Sequence, residues 1–173
     1  MHSPLHLIER ADLALCLSCN RLSHLRIWRG IFHVASRLGD GLVWYALMLV
    51  LPMIYGSAAL PVVGRMALAG VLGLATYKWL KHRTSRPRPY QVYRAISVAA
   101  PALDRFSFPS GHTLHAVSFS LVAVAGFPHL APLLYPLAAL IALSRPVLGL
   151  HYPSDVIAGA LIGAAVAHLV LLI

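Results

Sequence analysis

PSGHTLHAVSFSLVAVAGFPHLAPLLYPLAALIALSRPVLGLHYPSD, residues 109–155, decides how this chain folds. Between Arg105 and Arg145 there are 39 residues without an Asp, Glu, Lys or Arg, interrupted by Gly126-Phe127-Pro128-His129. A helix needs about 20 predominantly apolar residues to cross a bilayer. The stretch therefore predicts two crossing helices, near 109–126 and 129–145, with a turn between them.

Working outward, 24 uncharged residues lie between Asp40 and Arg65 and predict a crossing near 41–60. The next, near 60–80, holds Arg65 and Lys78 close to its ends, from which long side chains reach the interface. A last span covers 153–173. The expected fold is an all-α integral membrane protein with about five transmembrane helices. Composition agrees: 173 residues with 59% hydrophobic and 11% charged content, and a mean hydropathy of +0.75, exclude an ordinary soluble domain.

Residues 1–40 differ, because Glu9, Arg10, Asp12, Arg21, Arg26, Arg29 and Arg37 cut every apolar run before spanning length. Leu5, Ile8, Leu13 and Leu17 predict amphipathic helices lying in the interface. No cationic start with an apolar core and cleavage site marks a leader peptide. One domain is expected over 1–173, an interfacial segment 1–40 joined to a transmembrane core 41–173.

Three polar clusters stand out: Lys81 with Arg86-Pro87-Arg88-Pro89, Pro109-Ser110-Gly111-His112, and Ser144-Arg145 followed by His151 and Asp155. Ionisable residues at membrane depth are functional by default. Five alternating crossings bring all three clusters out on one face. Ser110 and Gly111 open a helix whose free N–H groups and positive end suit a phosphate, and Gly111 allows close approach. Lys81, Arg88 and Arg145 can neutralise phosphoryl oxygens. A neutral His151 can attack phosphorus, Asp155 one turn later can hold its other nitrogen, and His112 can protonate the leaving oxygen and then activate water. No metal or other cofactor is needed for this chemistry.

These segments resemble the three signature motifs of the type 2 phosphatidic acid phosphatase (PAP2) superfamily, over about residues 78–160. The resemblance implies a helical membrane bundle with His151 as nucleophile, Asp155 as its partner and His112 as acid and base. It implies phosphate binding by Lys81, Arg88, Ser110, Gly111 and Arg145. It further implies a membrane-lipid substrate bearing a phosphate or diphosphate: phosphatidic acid, phosphatidylglycerophosphate or a polyprenyl diphosphate. The hydrophobic profile excludes the soluble vanadium haloperoxidases of the same superfamily.

Two alternatives stay open: a lipid phosphotransferase using the same site, and a non-enzymatic membrane module binding metal, haem or anionic lipid. The net charge of +9 suggests lipid phosphates rather than nucleic acid, since no aromatic-interleaved basic module is present. Cys16 and Cys19 read as small residues on an amphipathic helix, His115 as a packing histidine, and Asp40 as a helix cap. Gly159 and Gly163 read as close-approach positions between helices. A bacterial inner membrane is the expected location. The excess of arginine on the motif face argues for a cytoplasmic site, whereas many bacterial relatives implied by the resemblance work on the outer side.

Overall fold

The structure, a computed structural model, describes residues 4–173. Eight α-helices follow one another: α1 (Pro4–Asn20), α2 (Arg26–Leu38), α3 (Leu42–Tyr55), α4 (Leu60–Thr84), α5 (Pro89–Val92), α6 (Gly111–Gly126), α7 (Ala131–Val147) and α8 (Pro153–Leu171). Among the described residues there is no β-strand.

Three stretches among them are long and apolar enough to cross a bilayer: Leu42–Val92, Pro128–Val147 and Pro153–Leu171. The first contains both α3 and α4, which meet at a short 3₁₀ turn, Gly56–Ala59. α6 has 16 residues, or about 24 Å at 1.5 Å per residue, short of the hydrocarbon thickness. Local signals end these helices where the sequence changes character. Pro128 and Pro153 stand in the first turns that follow breaks, where a missing N–H costs nothing.

α6 is the central helix, packed against α8, α4 and α7. Its contact with α8 is made possible by the two glycines: a methyl on Gly159 would strike the Ser110 carbonyl, and one on Gly163 the Leu114 carbonyl. Trp44, Met66, Leu114, Phe119 and Ile141 are buried in this bundle.

The N-terminal helices are not simply laid on the membrane surface. In α1, Leu5 and Ile8 lie outside the residues whose side chains are described, whereas Leu13 and Leu17 pack inward against Cys16, Ile96 and Tyr152. That face is satisfied by protein, so the amphipathic pattern here reports docking onto the loops. α2 has one buried face and one exposed apolar face. Phe32, Ala35 and Ser36 face inward, while Ile27, Trp28 and Val34 are exposed beside Arg26 and Arg29.

Candidate active site

The C-terminal ends of α4 and α7, the start of α6 and the connection leading into α8 converge on one cavity of about 800 Å³. Six of the eight residues predicted from sequence line it: Lys81, Arg88, Gly111, His112, Arg145 and His151. Ser110 and Asp155 stand behind it, both fully buried. From this polar end the cavity runs along α3 and α4 between Trp44, Met48, Gly70, Val71 and Leu74.

Lys81, in the last turn of α4, places Nζ 2.8 and 2.9 Å from the two Asp104 oxygens and 2.8 Å from the Phe106 carbonyl. Arg88 donates from Nη2 to the same carboxylate (2.8 Å), from Nε to the Asp104 carbonyl (3.0 Å) and from Nη1 to the Leu150 carbonyl (2.7 Å). Arg145 donates from Nη1 to Ser36 of α2, and its buried Nε has no hydrogen-bond partner among the described residues. Burial alone would push the Asp104 carboxyl up, but hydrogen bonds and charge from Lys81 and then Arg88 hold it below its ordinary value.

His151 hangs on the tight connection between α7 and α8. The Leu150 and His151 N–H groups both donate to the Arg145 carbonyl. Gly149 takes φ +75° and leaves no room for a Cβ, which would sit 2.7 Å from the Ser97 carbonyl. His151 Nε2 lies 3.2 Å from Arg88 Nη1. A guanidinium only donates, so Nε2 carries the lone pair and the ring proton is on Nδ1, facing Asp155. The Nδ1 to Asp155 Oδ2 separation is 3.6 Å, an ion-pair distance without a hydrogen bond. Burial, then the charges of Arg145, Arg88 and Lys81, push the imidazole well below its ordinary value. The ring is therefore neutral at neutral pH, with Nε2 turned toward the cations.

Asp155 is held from three sides. Its Oδ2 accepts the Tyr152 N–H at 2.9 Å, its Oδ1 accepts Arg86 Nη1 at 2.6 Å, and its backbone carbonyl accepts the Ser110 N–H at 3.0 Å. That last bond joins α6 to α8 and takes the Ser110 amide out of the set available to a phosphate. The Ser110 hydroxyl lies 3.0 Å from Thr113 Oγ1. Gly111 lies against the Tyr77 ring, where a Cβ would stand 3.5 Å away.

Four neighbours of these residues were not singled out for the site from sequence, or were read differently. Arg86 bridges Asp155 to Asp12 of α1, with Nη2 2.7 Å from Asp12 Oδ2, and lies 4.0 Å over the Tyr152 ring. Asp12 also accepts the Ser154 N–H at 2.9 Å. Asp104 clamps Lys81 and Arg88. Asp40 does not cap α3, whose N-cap is Gly41 without a side-chain bond; its Oδ1 instead meets His112 Nε2 at 2.7 Å. The signal that finds the three aspartates is scarcity. The chain has five acidic residues, Glu9, Asp12, Asp40, Asp104 and Asp155, and in an apolar chain each needs a reason. His115 does pack, stacked on Phe119 with centroids 5.2 Å apart, and also lines the cavity. Cys16 and Cys19 are both free, with the Cys16 sulfur 3.9 Å from the His151 carbonyl.

An all-helical membrane protein with two histidines and a cluster of buried cations at a bundle end is the class that fold and site define. The PAP2 superfamily model matches residues 58–173, and the chain belongs to that superfamily. A decaprenylphosphoryl-5-phosphoribose phosphatase of Mycobacterium tuberculosis is 37% identical over 93 residues, 53% of this chain and 49% of that protein. The chain thus spans about half the length of this curated relative. An undecaprenyl-diphosphatase of Sulfolobus acidocaldarius is 24% identical over 91% of this chain and 75% of its own. Among solved structures, Aquifex aeolicus LpxE superposes with a TM-score of 0.76 at 28% identity, covering 93% of this chain and 94% of that one. A PAP2-type phosphatidylglycerolphosphate phosphatase of Bacillus subtilis shares the fold, with a TM-score of 0.78 at 22% identity over 95% and 85% of the two chains.

Proposed function

We propose that this protein is a metal-independent lipid phosphatase, cleaving a phosphomonoester or diphosphate on a membrane lipid through a phosphohistidine. The observation that carries the reading is the cavity itself: His151, His112, Lys81, Arg88 and Arg145 at one end, and an apolar wall along α3 and α4 for a lipid tail. The names of the relatives, two of them phosphatases of polyprenyl-linked substrates, support the same substrate class.

In the first step His151 Nε2 forms a bond to phosphorus as the bond from phosphorus to the leaving oxygen breaks, and His112 supplies the proton to that oxygen. Asp155 takes up the positive charge that develops on the His151 ring. Lys81, Arg88 and Arg145 stabilise the non-bridging oxygens, Asp104 giving way to them. In the second step His112 removes a proton from water, which attacks phosphorus and frees His151. Five crossings by α3, α4, α6, α7 and α8, in one domain of a bacterial inner membrane, are part of this reading.

Detergent-purified protein with EDTA present should release phosphate from phosphatidic acid, phosphatidylglycerophosphate or a polyprenyl diphosphate. His151→Ala and His112→Ala should lower release by at least about a thousandfold while the protein remains folded. Full turnover by His151→Ala would sink the mechanism. Phosphorylated lipid product in place of free phosphate would identify a transferase.

A further inference from the structure

The mechanism above gives His112 two opposite tasks, donating a proton and then accepting one, and a ring with two nitrogens does both only if it is held in one tautomer. Its Nε2 is already engaged by Asp40 Oδ1 at 2.7 Å. Asp40 stands in Gly39-Asp40-Gly41, the connection between α2 and α3, and lies outside the residues 58–173 matched by the family model.

The connection is built for this contact. A Cβ on Gly39 would come 2.8 Å from Ile141 Cγ2 and 3.0 Å from His112 Cδ2, so only glycine lets the backbone lie this close to the ring. Gly41 turns the chain with φ +126°. The second Asp40 oxygen, Oδ2, is 3.2 Å from Arg37 Nη1, so the carboxylate is fixed from both sides. One turn back, Ser36 accepts from Arg145, which ties the same segment to the site a second time.

We propose that Asp40 is a positioning residue for the acid and base His112, holding Nε2–H so that Nδ1 is the nitrogen presented to the substrate. A carboxylate only accepts, so the proton of this bond belongs to Nε2. Hydrogen bonding to His112 comes first among the causes that hold the Asp40 carboxyl below its ordinary value and ionised. In the first step protonated Nδ1 gives its proton to the leaving oxygen as the phosphorus–oxygen bond breaks, and in the second Nδ1 recovers a proton from the attacking water. The site then holds two aspartate–histidine pairs, Asp155 with the nucleophile and Asp40 with the acid. The charged groups acting on the His112 ring are Arg145 of α7, Arg88 of the α4–α5 connection and Asp40, and its neighbour His151 comes from the α7–α8 connection. Arg145, Arg88 and His151 line the same cavity as His112, and a phosphate bound among them brings negative charge beside the ring, which favours the protonated acid.

The proposal rests on the phosphatase reading, and the test separates the two. kcat and KM are measured for wild type, Asp40→Asn and Asp40→Glu on an alkyl phosphate, whose leaving oxygen needs a proton, and on p-nitrophenyl phosphate, whose leaving group departs as an anion. Asp40→Asn should lower kcat/KM for the alkyl phosphate by roughly tenfold to a hundredfold, mostly through kcat, and leave kcat/KM for the aryl phosphate within about threefold. Its alkaline limb in kcat/KM should move to lower pH. Because the water step still needs a base, the variant should give a burst of nitrophenol. Asp40→Glu should recover part of the alkyl rate. Equal losses on both substrates, or none on the alkyl one, would overturn the assignment. Should wild type cleave neither of these, nor phosphatidic acid, phosphatidylglycerophosphate or a polyprenyl diphosphate, the phosphatase reading fails. The ¹⁵N shifts of His112 in wild type and Asp40→Ala then judge the pairing alone, with loss of a single Nε2–H tautomer in the variant as the expected result and unchanged shifts as the refutation.

Discussion

The His151 ring is the residue on which the site's electrostatics converge. Its full burial, and then three nearby cations, keep it neutral in the folded protein, while in the unfolded chain it titrates near pH 6.5. As pH falls below that value the unfolded state takes up a proton that the folded state refuses, so stability falls by about 1.4 kcal/mol per pH unit until the folded ring titrates. Thermal midpoints in detergent between pH 7 and pH 5 should show this decline, and His151→Gln should flatten it. An identical slope in the variant would remove His151 as its source. Arg86 has the opposite character, a cation fixed between Asp12 and Asp155, two buried carboxylates that would be stranded without it.

At the scale of helices, the α6–α8 contact sets the distance between the two histidines, because Gly111 opens one helix and the loop carrying His151 leads into the other. Gly163 meets the Leu114 backbone with no space for a side chain. Gly163→Val should force the helices apart and cost about 1–3 kcal/mol, read as a lower thermal midpoint. Activity should fall with it, since Ser110 and Asp155 are joined across the same seam. An unchanged midpoint would show that the seam relaxes without effect. The helix ends themselves were well marked in sequence: spans expected near 129–145 and 153–173 are helices at 131–147 and 153–171. Proline and glycine punctuation carries that information locally. The role of α1 was not legible, because an apolar stripe looks the same whether it meets lipid or protein.

For the whole molecule, Lys81, Arg88, His112, Arg145 and His151 of the cavity lining could be read from three motifs, since each motif lies at the end of a helix and the helix order gathers those ends. What supports them could not. Asp12 reaches Ser154 across 142 positions and Asn20 reaches Val147 across 127, pairings that exist only once the bundle has closed. The N-terminal segment is thus part of the site's frame. Asp12→Ala should leave Asp155 as the one carboxylate on Arg86 and slow turnover by about tenfold with little change in KM, which steady-state kinetics on the best lipid substrate will check. Wild-type turnover in that variant would reduce α1 to a surface attachment.

The placement of the carboxylates has one more consequence. Of the five acidic residues of the sequence, Asp12, Asp40, Asp104 and Asp155 are hydrogen-bonded in or around the site, and the fifth is Glu9. Infrared difference spectra of the unlabelled protein, recorded on adding phosphate, would therefore have almost no background carboxyl signal. Vibrations that in most proteins average over dozens of surface acids would here report the candidate site directly.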